Sequence, residues 1–407
     1  MNQPDFYQLR ADFPMLNKTM HGKPLIYLDS AATSQKPLQV IDAMNQFYRE
    51  QYSTVHRAVY ELAAKATLQY QNVRQQVKNF LNASKEEEII FTRGTTESIN
   101  LVAYSFGKAF IQPGDEIIIS ALEHHSNIVP WQILCEDRGA VLKVIPINER
   151  GELILEEYEK LLSDRTRLVA VAHISNSLGT VNPIKEITKL AHQRGAKILV
   201  DGAQSAPHLS VDVHDLDVDF FVFSVHKTLG PTGLGVLYGK KDLLDQMPPY
   251  QGGGDMIETV TFSKTTYQPL PLKFEAGTPL IAEVIGLGAA LKYIQTIGLS
   301  SIEKWEQHLT SYARDRLEEI QGLRIIGTSN KKGALISFAI EGIHALDIGT
   351  MLDLQGVAIR TGHHCAQPVL QYFNLPSMAR ISFGLYNTPE EVDHFIESLK
   401  GVIRLLK

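Results

Sequence analysis

The chain has 407 residues, 44% of them hydrophobic, which is ample for a large core spread over two or three domains. Lys+Arg 39 against Asp+Glu 45 leave a net charge of -6, and a mildly acidic chain without a basic run has no electrostatic footprint for nucleic acid. Two cysteines exclude a disulfide framework, and no apolar run is long enough to span a bilayer, so a stapled secreted domain and a membrane protein both drop out.

The opening "MNQPDFYQLRADFP" is polar and lacks the apolar stretch of a signal peptide, which predicts a cytoplasmic protein. From residue 87 short apolar runs alternate with amphipathic ones. "EEIIFTRG" (87–94), "DEIIISALEHH" (115–125), "TRLVAVAHIS" (166–175) and "AKILVDGAQ" (196–204) read as buried strands. Helical patterns lie between them at 96–110, 126–138 and 184–194. That alternation predicts an α/β fold with a mostly parallel sheet covered on both faces. Such sheets bind ligands at the carboxyl ends of their strands. The strands here end in Thr92, in Glu123-His124-His125, in His173 to Asn176, and in Asp201 to Gln204.

"DFFVFSVHKTLGPTGLGVLYGK" (219–240) reads as a strand ending near Lys227, a Gly/Pro-rich turn and a returning strand. "QGGGD" (251–255) is a loop by composition, and 257–279 an extended or hairpin segment. A long helix is expected over 281–297. Strands in "GALISFAIEG" and "RISFGLYN", with helices at 300–321 and 389–406, complete a smaller α+β domain. The expected division is a large domain over 22–294 and a small one made of 1–21 and 295–407, with the N-terminal helix packed on the latter.

Several side chains carry chemistry in this arrangement. A lysine at the tip of an apolar strand is desolvated, which lowers its pKa and suits Lys227 to Schiff-base formation; it also reads simply as a residue flanking a turn. Asp201 follows the apolar strand and could pair with a protonated pyridine nitrogen, or merely mark the strand exit. Thr95 and Thr96 open a helix after a glycine turn, as an anion site or a plain N-cap would. Ser224 and His226 flank the same point. His124 could stack on a flat cofactor and shuttle protons, or be a satisfied structural histidine. "RTGHHCAQP" (360–368) places Cys365 after two histidines. Zinc there lacks the spaced ligand pairs it needs, since there is no Cys-x-x-Cys and adjacent side chains diverge; no metal site is expected.

Taken together, "VDGAQ" (200–204), "SVHKTLGPTG" (224–233), "EHHSNIVPW" (123–131), "FEAGTP" (274–279) and "RTGHHCAQP" resemble the cysteine desulfurases, pyridoxal 5'-phosphate (PLP) enzymes of the class V aminotransferase superfamily with the fold-type I architecture. The resemblance covers essentially the whole chain in order, and the cysteine segment is similar to that of the SUF-system (group II) branch, which includes selenocysteine lyase activity. It implies that Lys227 holds the cofactor and moves the substrate Cα proton, Asp201 faces the pyridine nitrogen, Gln204 the phenolic oxygen, and His124 stacks on the ring. Thr95, Thr96, Ser224 and His226 would bind the phosphate, with Thr278 from the other subunit of a homodimer. Arg380 would grip the carboxylate of L-cysteine, helped by Asn176, with Arg360 and His56 near the same pocket. Cys365 would attack the substrate sulfur and hand it, as a persulfide, to a SUF-type acceptor protein for iron–sulfur cluster assembly. A nearby protonated histidine or Arg360 would favour the thiolate.

Val225 departs from the glycine common at its position; if the family uses a left-handed residue there, a β-branched one would be strained. Leu229, Ala58, Tyr60 and Ser177 are milder departures. Two other readings remain: an aminotransferase or kynureninase-like enzyme of the same fold, for which Cys365 would be silent, and a non-catalytic cluster-assembly scaffold.

Overall fold

The computed structural model of the protein describes residues 4–407. A seven-stranded sheet organises its centre. In chain order the strands are β1 (Ile89–Thr92), β2 (Glu116–Ser120), β3 (Val141–Ile145), β4 (Thr166–Ala172), β5 (Lys197–Asp201), β6 (Phe220–Ser224) and β7 (Gly235–Gly239), and in space they run β1-β7-β6-β5-β4-β2-β3. The pairings β3-β2-β4-β5-β6 are parallel, and only β7, the returning strand, is antiparallel to its neighbours β6 and β1.

Helices on both faces explain why these strands are continuous apolar runs. In β6 every residue of Phe220–Ser224 is buried. Alternation still sorts the side chains: Phe220 and Val222 join one core with Ile117, Leu168 and Leu199, while Phe221 and Phe223 join another with Ile118, Val169 and Val200. The first core is closed by Thr95–Phe110 and Val129–Arg138 through Ile99, Phe106 and Trp131. The second is closed by Glu61–Phe80, Ile184–Gln193 and Ile281–Ile297 through Tyr70, Val73, Ile187 and Leu287. Each such side chain contributes about 1.5–3 kcal/mol on burial.

A second, antiparallel sheet lies toward the C-terminus. Its strands β8 (Leu323–Ile326), β9 (Leu335–Ile340), β10 (Arg360–Gly362) and β11 (Met378–Ser382) run β8-β9-β11-β10. Helices Leu299–Glu318, Ala345–Asp353 and Pro389–Leu406 cover it through Leu309, Ile348, Phe395 and Leu399. The last helix starts where the sequence directs: Pro389 occupies its first turn and Thr388 with Glu391 forms a reciprocal capping box. The short N-terminal helix Phe6–Leu9, capped by Asp5, packs on these helices, with Phe6 stacked on Trp305 at 4.9 Å and Arg10 paired to Glu391 at 2.7 Å.

Between the two sheets runs a loop that proves central to the site. Ile26 and Tyr27 pair in parallel with Val357 and Ala358, Ile26 and Leu28 pack in the second core, and Asp29 bridges to Ser382. Residues 29–36 are thereby threaded past the ends of both sheets. Among the described residues no helix is long and apolar enough to cross a membrane.

Candidate active site

A cavity of about 200 Å³ opens at the carboxyl ends of β4, β5 and β6. It gathers residues scattered over most of the chain: Thr95, Thr96, His124, Asn176, Asp201, Gln204, Ser224, His226, Lys227, Arg360, Cys365 and Arg380 all line it. Thr278 and His56 do not. Thr278 lines a separate cavity with Tyr70, Phe91 and Glu275. His56 is left-handed (φ 73), bound through its N–H to Thr67 Oγ1, and set edge-on to Tyr70 at 5.5 Å. A buried ion pair explains both placements. Arg74 binds Glu275 at 2.8 and 2.9 Å, which anchors the segment carrying Thr278 to β1, and its guanidinium lies over the Tyr70 ring on which His56 rests.

The phosphate-like corner forms where β1 turns into the helix Thr95–Phe110. Gly94 is its N-cap and no side chain caps it, so the hydroxyls of Thr95 and Thr96 are not spent on capping. Thr95 N–H donates to Ser224 Oγ at 2.9 Å, the Thr95 and Ser224 hydroxyls lie 2.8 Å apart, and Thr96 Oγ1 meets Ser126 Oγ at 2.7 Å. β7 can pass this close only because residue 235 is glycine: a Cβ there would sit 2.4 Å from the Gly94 Cα. A helix N-terminus ringed by hydroxyls that can turn to a ligand makes an anion site.

Lys227 ends a right-handed 3-10 turn, Val225–Lys227. The condition under which Val225 would be strained is not met: Val225 is not left-handed but fully buried within that turn, and the left-handed residue is Leu229 (φ 58). Burial lowers the Lys227 amine to about 8, with Asp201 opposing the shift and Arg380 and Arg360 adding to it. Asp201 is buried and accepts one backbone bond, from Ala203 N–H at 2.9 Å. Burial raises its pKa, so the fold offers a carboxyl that a cation would bind strongly. His124 accepts the Ser126 N–H at Nδ1 (3.0 Å), which leaves its own proton on Nε2. Burial and the nearby Lys227 charge pull it to about 4, so it is neutral at pH 7.

The cysteine turn is built differently. His364 and Cys365 are successive left-handed residues (φ 51 and 55), a conformation disfavoured for both. Bonds to both of its carbonyls help hold the turn: His125 N–H donates to the Cys365 carbonyl at 2.8 Å and Asn176 Nδ2 to the His364 carbonyl at 2.6 Å, while the His364 ring meets the Met378 carbonyl at 3.1 Å. The Asn176 carbonyl in turn accepts from Arg380 Nη1 at 2.8 Å. Cys365 is half-buried. Burial holds His364 down to about 3 and lowers His125, so among the histidines beside the thiol these and His124 are neutral, and Arg360 supplies the positive charge on that wall.

Three residues to which the sequence assigned no role support this set. Asp29 Oδ1 accepts from Arg380 Nη2 at 3.1 Å, and Arg380 Nε is left without a partner. Glu123, fully buried, accepts from Asn127 Nδ2 at 2.6 Å and Ala172 N–H at 3.0 Å and bonds the Ser120 hydroxyl, and burial raises it to about 8. Lys36 binds the carbonyl of His226. Asp29 and Lys36 follow no local pattern, and Glu123 stands in the "EHHSNIVPW" stretch without a role assigned to it. Among the described residues no cluster of His, Cys, Asp or Glu is arranged to hold a metal ion.

Comparison with known proteins adds to this geometry. The aminotransferase class-V family matches residues 26–395. A cysteine desulfurase of Escherichia coli is 53% identical over 400 residues, 98% of either chain. Another of Synechococcus elongatus is 52% identical over 403 residues, 99% of this chain, but the chain spans only 64% of that relative's length. Among solved structures, the E. coli cysteine desulfurase CsdA, in an S-sulfonic acid form, superposes with a TM-score of 0.93 at 40% identity over the whole of both chains.

Proposed function

The chain belongs to the aminotransferase class-V family of fold-type I PLP enzymes, and from that premise we propose that it is a cysteine desulfurase that moves the sulfur of L-cysteine onto Cys365. The observation that carries the proposal is the shared cavity: the lysine amine, the buried carboxyl and the thiol face one space of about 200 Å³.

The residues fit the cofactor. Asp201 is a buried carboxyl whose only bond is to one backbone N–H, as a partner for a protonated ring nitrogen requires. Thr95, Thr96, Ser224 and His226 provide hydroxyl, amide and imidazole groups for a phosphate at the helix N-terminus, and Gln204, fixed by its Nε2 on the Ala31 carbonyl at 2.8 Å, lines the same cavity. Bound there, PLP supplies an electron sink for the substrate Cα.

The chain does the rest. Asp201 holds the proton on the ring nitrogen. Lys227, with its amine brought to about 8, exchanges a proton near neutral pH and serves at the substrate Cα. Arg380 lines the cavity and would bring its positive charge to the substrate carboxylate, and the Asn176 carbonyl fixes it through Nη1. His124, neutral with its proton on Nε2, can donate or stack without adding charge. The Cys365 thiolate forms an S–S bond to the substrate sulfur as the Cβ–S bond breaks. The electron pair goes to carbon, and protonation there yields alanine and a Cys365 persulfide.

The finer parts of the proposal rest on sequence. The "RTGHHCAQP" segment supports a SUF-type carrier protein as acceptor, for iron–sulfur cluster assembly, with selenocysteine as a further substrate. The placement of Thr278 outside the cavity of its own chain supports a homodimer in which it reaches the partner's phosphate. Cytoplasmic location and the domain division at 22–294 are proposals of the same kind. The test is alanine release from L-cysteine with PLP and a reductant. Wild type should turn over and Cys365→Ala should lose about a thousandfold. Equal rates in both would favour the aminotransferase-like reading.

A further inference from the structure

The carbonyl oxygen of His226 collects an unusual number of donors. Ser34 N–H reaches it at 3.1 Å, Thr33 Oγ1 at 3.2 Å, Ser34 Oγ at 3.0 Å and Lys36 Nζ at 2.6 Å. Lys36 Nζ also donates to the Ser34 carbonyl at 2.6 Å and to Ser34 Oγ at 3.3 Å. Ser34 Oγ accepts the Leu229 N–H at 3.1 Å, at the left-handed residue that closes the same turn. His226 Nδ1 is 3.1 Å from Thr33 Oγ1. Residues 33–36 therefore grip the turn at its peptide, its imidazole and its exit.

We propose that Lys36 is a positioning residue for Lys227: its amine fixes the His226–Lys227 peptide plane and so keeps the Lys227 amine aimed into the cavity. The inference rests on the reading of Lys227 as the cofactor lysine. The Lys227 Cα belongs to that peptide plane, and rotation of the plane swings the direction in which the side chain leaves. A side chain serving only to fill space would not need a charged head so close to two carbonyls. Lys36 forms no ion pair with any described residue, so its burial is offset by these acceptors alone. Burial brings the amine to about 7. The neutral amine still has two N–H donors for the two carbonyls at 2.6 Å, so the grip survives loss of the charge. Because no carboxylate among the described residues pairs with Lys36, replacing it strands no buried anion, and Ser34 and Thr33 stay on the carbonyl to hold the fold.

The test compares wild type, Lys36→Met, Lys36→Gln and Lys36→Arg, each loaded with PLP, with Lys227→Ala as reference. The readouts are kcat and KM for L-cysteine per bound cofactor, the acid–base midpoint of the lysine-dependent PLP absorption band, the rate of PLP release, and Tm. Misplacement of a reacting group by about an ångström costs on the order of a hundredfold in rate. Lys36→Met should lose about tenfold to a hundredfold in kcat with KM nearly unchanged, shift the midpoint and release PLP faster. Lys36→Gln should fall between, and Lys36→Arg should recover part of the loss. If Lys36→Met does not fold, Lys36→Gln decides. A lowered Tm with wild-type kcat and midpoint would reduce Lys36 to a structural role and overturn the inference. An absorption band that persists in Lys227→Ala would overturn the reading of Lys227 together with it.

Discussion

Lys227 enters the cavity from the end of a strand buried along its whole length, while Cys365 enters from a loop in which two successive non-glycine residues are left-handed. The amine is held by the central sheet, by a right-handed turn and by residues 33–36. The thiol is held on a loop by scattered hydrogen bonds, among them those to the His364 and Cys365 carbonyls, and stays half-buried. Each left-handed residue costs about 1–2 kcal/mol, stored where the thiol must be presented. The difference matches the two tasks. In the proposed function, proton transfer at a fixed carbon would reward rigidity, whereas a sulfur first received and then passed on would need a carrier reachable from outside.

Removing the rigid partner should have the largest effect. Lys227→Ala should lose turnover by about a thousandfold or more, and with it the lysine-dependent PLP band; retention of the band would break the contrast at its firmer end. Next comes the residue that serves both regions. Arg380 is tied to Asn176, which holds the cysteine turn, and to Asp29 on the loop that leads to Lys36. Arg380→Met should raise KM for L-cysteine by about a hundredfold, as expected for a lost charge-assisted bond of about 3 kcal/mol, and the PLP band should remain. An unchanged KM would mean that the substrate carboxylate binds elsewhere.

The smallest effect concerns the support under the cysteine turn. Glu123 braces residues 120–127 through Asn127 and Ala172, and His125 in that stretch binds the Cys365 carbonyl. Its folded pKa of about 8 lies above the unfolded value near 4.5, so the folded state binds the extra proton between those limits. The stability it contributes is full below pH 4.5 and is lost as pH rises toward 8. Glu123→Gln carries no such proton. Its Tm relative to wild type should therefore rise from pH 5 to pH 8; a difference flat with pH would show that Glu123 is ionised in the fold.

What the sequence made legible follows the same divide. Lys227, Asp201 and Thr95 stand at the ends of apolar runs or at a glycine turn, so strand pattern alone puts them at one edge of a parallel sheet. Cys365 has no such pattern, and its reading depended on resemblance. Asp29 and Lys36 escaped because their roles are made by tertiary contacts: Asp29 meets a residue 351 positions away and Lys36 one 190 positions away. The helix Glu61–Phe80 also went unread, although its buried Ala63, Ala66, Tyr70, Val73 and Val77 follow a three-four spacing that a window count would have found. A left-handed Val225 would be strained, but the turn places its left-handed residue at Leu229, four positions later, and leaves Val225 to pack against Gly230.

The measurement that bears most directly on the account is the intact mass of the PLP-loaded protein after incubation with L-cysteine without reductant, beside a Cys365→Ser variant. The account predicts one added sulfur atom, removable by a thiol reductant, in the wild type and none in the variant. A sulfur adduct in both, or in neither while the PLP band is present, would contradict the assignment of Cys365 as the thiol that receives the sulfur.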